Sequence, residues 1–195
     1  MLNDGGMPVN VRGICWSLTS DPTLTSGSKK NDVSGGLGGY VGNINGLLPG
    51  TKYYVRAFAT NSLGTAYGNV ESFTTQAIRP TVSKVIMSNL TMVAGDGNHC
   101  QIRHNHLAHA AVITDGGSPL TDRGLYWNAT GKPPVIPMPA DSSVSLGAGG
   151  TEINATISGL KDNTTYYVWA YATNAVGTRF SPTPVTFTTP TIPAV

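Results

Sequence analysis

The chain has 195 residues, enough for one large domain or two domains of common size. Only 11% of them are charged and the net charge is +2, with basic and acidic residues scattered singly, so no patch exists to neutralise phosphates and nucleic-acid binding is excluded. No apolar run approaches the ~20 residues that span a bilayer, so no membrane insertion is expected. The first six residues have neither the charged start nor the apolar core of a signal peptide. With 24 Gly, 13 Pro, 24 Thr and 15 Ser, the composition reads as strands and turns, not helices.

Taken in chain order, the sequence says most things twice. Residues 4–17 read DGGMPVNVRGICWS and residues 115–128 read DGGSPLTDRGLYWN. Residues 51–65 read TKYYVRAFATNSLGT and residues 164–178 read TTYYVWAYATNAVGT. Phe73-Thr-Thr75 answers Phe187-Thr-Thr189. A repeat near 112 residues is too long for a solenoid and predicts two copies of one domain, each with its own core. Both copies alternate with period two: Tyr53, Val55, Ala57 and Ala59 share one strand face, as do Tyr166, Val168, Ala170 and Ala172. Turn words flank these strands, Leu48-Pro-Gly50 and Lys161-Asp-Asn163 before, Asn61-Ser-Leu-Gly64 and Asn174-Ala-Val-Gly177 after. Short strands between such turns predict an antiparallel sandwich.

The words DGGxPxxxRGxxW, LxPGTxYYVRAxATNxxGTxYG and SFTT resemble fibronectin type III repeats, in particular those of secreted and surface proteins of Bacteroidetes-like bacteria. The second copy departs from the pattern after Gly177, where Arg179-Phe-Ser-Pro182 replaces Ala-Tyr-Gly-Asn. The resemblance implies an all-β chain of two tandem fibronectin type III-like (immunoglobulin-like) β-sandwiches, the first lacking its own strands A and B. It implies an incomplete domain over 1–76 (strands C to G) and a complete one over 77–189 with an insertion near 92–104. A tail over 190–195 would resemble the start of a further strand A. Strand C is expected over 8–17 and 119–128, with Trp16 and Trp127 as core anchors. Strand E is expected over 38–47 and 151–160, and strand F over 53–60 and 166–173, with Tyr53 and Tyr166 at tyrosine corners. Strand G falls over 67–75 and 179–188; in the second copy strand A falls over 81–88 and strand B over about 105–114.

Without strands A and B, strand E of the first copy has no neighbour and half of that core faces water. Two readings stay open. The chain is a piece of a longer repeat protein, or a neighbouring chain supplies the missing strands, an assembly mode that builds filaments when the contact does not close. The short linker around 76–80 contains a proline and predicts a stiff, extended pair.

Chemistry-bearing residues are few. Cys15 and Cys100 are read either as a buried thiol and a loop thiol or as disulfide or assembly sites in an oxidising compartment. His99, His104, His106 and His109 cluster, and His104, His106 and Cys100 are the candidate metal ligands, although their spacing matches no standard zinc finger. No catalytic set is visible: no close carboxylate pair, no GxSxG elbow, and a Gly35-Gly-Leu-Gly-Gly39 run without the Lys-Ser/Thr of a phosphate loop. No cofactor is expected. Four Asn-x-Ser/Thr sequons, at Asn89, Asn128, Asn154 and Asn163, match chance frequency.

The sequence therefore reads as a non-enzymatic structural module of an extracellular fibre, adhesin or surface appendage. Its expected partners are copies of itself in a filament or neighbouring repeats. Two alternatives remain: an accessory module binding a glycan or surface protein through Tyr54, Phe58, Tyr167, Trp169 and Tyr171, and a phage tail or virion decoration protein. The expected location is extracellular or cell-surface, or the virion surface.

Overall fold

A computed structural model describes residues 4–32, 35–93 and 103–191. The chain divides into two compact units, Met1–Gln76 and Ala77–Val195.

Unit 1 holds β1 (Val11–Ser17), β2 (Ser28–Asp32), β3 (Lys52–Asn61), β4 (Gly64–Tyr67) and β5 (Glu71–Thr74). Unit 2 holds β6 (Thr81–Val82), β7 (Ile86–Val93), β8 (Arg103–Thr114), β9 (Leu120–Asn128), β10 (Ser143–Ser145), β11 (Glu152–Ile157), β12 (Thr165–Asn174), β13 (Gly177–Phe180) and β14 (Val185–Thr188). The only helical turn among the described residues is a short 3-10 turn at Ala140–Ser142.

Unit 2 is a two-sheet sandwich. One sheet has the order β10-β9-β12-β13, with β14 also on β12; the other has β11-β8-β6, with β7 also on β8, and every pairing is antiparallel. Alternation turns Ile153, Ala155 and Ile157 of β11 inward, where they meet Ala108, Val112, Leu125, Trp127, Val168 and Ala170. A buried Leu or Ile such as these stabilises the fold by about 2 kcal/mol.

Unit 1 has the first of these sheets and, among the described residues, not the second: β2-β1-β3-β4, with β5 also on β3. Strand E of this copy does not form, for residues 38–47 hold no strand. The cause is the pairing rule seen in unit 2. There strand E, β11, takes its ladder from β8, and the described part of unit 1 holds no such neighbour. Strand G is interrupted in both units, into β4 and β5 and into β13 and β14, and strand A of unit 2 is split into β6 and β7. The expected insertion near 92–104 falls between β7 and β8, and residues 94–102 lie outside the described ones.

The repeated words recur because each fixes a corner. In DGG, Asp4 Oδ1 accepts the Gly6 N–H at 3.0 Å and Asp115 Oδ1 the Gly117 N–H at 2.9 Å. A side chain on Gly116 would strike the Ile78 carbonyl, 2.0 Å from an ideal Cβ. In YY, the Tyr53 hydroxyl accepts the Leu48 N–H and the Tyr166 hydroxyl the Lys161 N–H, both at 3.0 Å, so both sit at tyrosine corners. In ATN, the amide of Asn61 donates to the Asp4 carbonyl, and that of Asn174 to the Ile78 and Asp115 carbonyls. In FTT, Phe73 stacks on Tyr53 and Phe187 on Tyr166, at 6.0 and 5.8 Å. Thr75 and Thr189 each bind the preceding corner from both sides, donating to Leu48 and Lys161 carbonyls at 2.6 Å.

Candidate assembly face

The two copies allow a position-by-position comparison of one sheet face. In unit 2 the register sets Trp127 opposite Val168, Leu125 opposite Ala170 and Arg123 opposite Ala172. In unit 1 the same register sets Trp16 opposite Val55, Ile14 opposite Ala57 and Arg12 opposite Ala59. Leu125, Val168, Ala170 and Ala172 are wholly buried and Trp127 nearly so, because β6, β8 and β11 cover them. Their counterparts Ile14, Val55, Ala59 and Trp16 are only half-buried, and Ala57 is exposed. Among the described residues, the large cluster of buried hydrophobic side chains draws every member from unit 2.

What lies along this face in unit 1 is coil. Arg12 Nη1 donates to the carbonyls of Gly36, Leu37 and Gly38 at 3.1, 2.8 and 3.3 Å, and its guanidinium lies 5.5 Å from the Tyr40 ring centre. Gly42 packs on the Ile14 side chain. Arg123 grips the carbonyls of Leu146, Gly147 and Ala148 in the same way, with Nε on the Glu152 carbonyl. In unit 2 the gripped loop leads into β11; in unit 1 it leads into coil that leaves grooves of about 440 and 600 Å³ over Ala57, Ala59 and Ala66 and over Trp16, Leu47 and Tyr53. Leu37, Val41 and Leu48 of this segment are exposed, Val41 to 93%.

The opposite sheet face is covered in both units by the loop after β1 or β9, a feature the sequence reading missed. In unit 1, Pro22 is buried and its carbonyl receives the Cys15 thiol at 3.4 Å and Arg56 Nε at 2.6 Å. Arg56 also pairs with Asp21 at 2.9 Å and lies 4.0 Å from the Tyr67 ring centre. Cys15 is a free, buried thiol, pushed up by burial against the pull of Arg56; Cys100 lies outside the described residues. In unit 2, Gly131 lies on the Tyr167 ring. Trp169 and Tyr171 are buried, Trp169 packing on Tyr126 and Tyr167 and Tyr171 on Phe180. Phe58 is also buried, while Tyr54 and Tyr167 are half-buried, so this face offers no open row of rings for a sugar.

The Tyr171 hydroxyl donates to Asp122 Oδ2 at 2.9 Å, while Ser145 and two backbone N–H groups donate to Oδ1. Burial, then the Asp122 hydrogen bond and charge, push the Tyr171 phenol well above its ordinary value of 10.0. Above pH ~10 the unfolded chain releases this proton and the folded chain keeps it, so unit 2 loses stability as pH rises. Tyr171→Phe is expected to cost about 2 kcal/mol at neutral pH. It should also flatten the alkaline fall in melting temperature; an unchanged fall would assign it to other groups. Phe58 is the natural form of this change in unit 1.

Of the candidate metal ligands, His99 and Cys100 lie outside the described residues. His104 and His106 belong to β8, in register with Met92 and Leu90 of β7. His109 Nδ1 donates to Asn154 Oδ1 at 2.9 Å, and Asn154 donates to Glu152 Oε2 at 3.0 Å. Among the described residues no group of three His, Cys, Asp or Glu side chains comes together.

No family model matches the chain, and no curated protein matches it. Among solved structures it is similar to the FN1–FN3 domains of chicken CNTN1, at 15% identity and a TM-score of 0.44, over 96% of this chain and 59% of that one. It thus spans less than two thirds of that chain. The antiparallel sheets, the paired tyrosine corners and the repeated register make this an all-β protein of two tandem units with fibronectin type III-like strand pairing, the second a two-sheet sandwich and the first, among its described residues, a single sheet.

Proposed function

We propose that the chain is a non-enzymatic structural module of an extracellular fibre, adhesin or surface appendage, joined to its neighbour through the open face of unit 1. One observation carries this reading. Ile14, Trp16, Val55 and Ala59 are only half-buried and Ala57 is exposed, although their counterparts at the same register lie in the closed core of unit 2. An apolar sheet face left to water is unstable alone and is completed by a second layer. A neighbour that adds strands or a sheet there gains both core burial and a stiff joint. Low charge and repeated threonine pairs on the strand surfaces, such as Thr60–Thr65 and Thr173–Thr178 at 2.8 Å, suit close packing in such an assembly.

Electron microscopy of the purified chain, beside its mass by light scattering, tests this. Ordered assemblies above the 20.3 kDa of one chain are expected. A monomer whose unit 1 amides resist hydrogen exchange as long as those of unit 2 would sink it. Glycan binding by the intact chain would favour the accessory-module reading instead.

A further inference from the structure

We infer that Asn45 is a self-modification site, where the chain converts its own asparagine to aspartate and isoaspartate through a succinimide formed with Gly46. The isoaspartate then releases the tyrosine corner of unit 1.

Such a ring needs an amide carbon within reach of the next residue's nitrogen, and a next residue with no side chain in the way. Of all the asparagines in the chain, only Asn45 is followed by glycine. It is exposed and lies in coil, where no strand ladder holds the Gly46 nitrogen. Among the described residues no hydrogen bond engages the Asn45 side chain or the Gly46 N–H. Gly46 has φ +74°, and an ideal Cβ on it would meet no atom within 4 Å, so the backbone can turn there and the ring has room.

Other asparagines are tied down. The amides of Asn61 and Asn174 donate to backbone carbonyls, that of Asn128 to the Lys132 carbonyl and that of Asn154 to Glu152 Oε2. Asp4 and Asp115 also precede glycine, but each carboxylate accepts the N–H two residues on. Asp96, before Gly97, lies outside the described residues.

Water is the one co-reactant. The Gly46 nitrogen gives its proton to solvent and bonds to Asn45 Cγ. The bond from Cγ to the side-chain nitrogen breaks, and ammonia leaves with a proton from solvent. Water then opens the succinimide. Opening at Cγ gives aspartate; opening at the main-chain carbonyl carbon gives isoaspartate, whose chain runs through Cβ and Cγ. Water has entered, ammonia has left, and the new carboxylate lowers the net charge of +2 by one.

The corner lies just beyond. The Leu48 N–H donates to the Tyr53 hydroxyl at 3.0 Å, and the Leu48 carbonyl accepts Thr75 Oγ1 at 2.6 Å. Isoaspartate adds a methylene to the main chain leading into these bonds and takes them out of register. Unit 2 is the comparison within the same molecule. Ser158-Gly159 stands at the same place before its corner, with Gly159 at φ +71° and Ser158 exposed, and serine has no amide to lose. Since this turn is exposed in the two-sheet unit as well, the site does not depend on what covers the open face of unit 1.

Incubation of the full chain at mildly alkaline pH, followed by ion exchange and peptide mapping by mass spectrometry, tests the modification. Acidic species should accumulate, faster as pH rises, with both aspartate and isoaspartate at position 45. They should be lost in Asn45→Gln, whose longer side chain would have to close a larger ring. Conversion spread over other asparagines, or aspartate without isoaspartate, would overturn the succinimide. Hydrogen exchange of the aged chain tests the release, with Asn45→Asp as the control for charge alone. The Leu48 amide should lose protection in the isoaspartate form and keep it in Asn45→Asp, while the Lys161 amide, bound to the Tyr166 hydroxyl, stays protected in both. Equal loss in Asn45→Asp would assign the effect to charge, and unchanged protection would leave the corner intact; either overturns the release.

Discussion

Trp127→Ala is expected to destabilise unit 2 by about 4 kcal/mol, while Trp16→Ala costs unit 1 of a lone chain only about half as much. The two tryptophans hold the same register on the same strand. They differ in cover: Trp127 belongs to the closed core and Trp16 is half-buried at the open face. A core truncation loses the transfer free energy of the ring and leaves a cavity, whereas a half-open site loses part of the first and little of the second. Urea melts of both variants, followed at two chain concentrations, measure the difference. At high concentration the Trp16 cost should rise toward that of Trp127 as the face becomes covered. Equal costs at all concentrations would mean that unit 1 is already closed.

Arg123→Met carries the second large effect, about 3 kcal/mol. The guanidinium serves four backbone carbonyls, three of them successive, and a methionine side chain cannot donate to any of them. Arg123→Lys should not rescue it, since one ammonium cannot span the fan of acceptors that the planar fork meets. Thermal melts would show the loss, and hydrogen exchange in 146–152 would place it. If Lys restores full stability, the grip is a matter of charge and not of geometry. Arg12→Met should free residues 36–38 in the same way, with a smaller global cost, because no strand follows the loop it holds.

The strands that announce themselves in the sequence are those buried on one side and alternating strictly. Tyr53 to Thr60 and Tyr166 to Thr173 are read from their period and lie in β3 and β12. The short strands β2 and β10 escaped. Ser-Lys-Lys-Asn-Asp is too polar to read as a strand, and Ser-Val-Ser is too short; both are edge strands held by β1 and β9. The expected strand E over 38–47 shows the converse. Tyr40, Val41 and Ile44 have strand character, but a ladder needs a neighbour as well as propensity. The loops over the aromatic face were illegible because their anchors are backbone carbonyls, such as that of Pro22, which no side-chain pattern reports. Gly124 was legible as a repeated word but not as a contact: its Cβ would lie 1.9 Å from the Val144 carbonyl, so the RG word keeps β10 close to β9.

The uneven placement of the three tryptophans also makes the protein its own optical gauge. Trp127 and Trp169 are shielded inside unit 2, and Trp16 stands at the open face of unit 1. A collisional quencher such as acrylamide therefore reaches mainly one indole of the three while that face is bare. Whatever comes to lie on it dims the quenching and shifts that emission toward the blue, without a label and without an introduced residue.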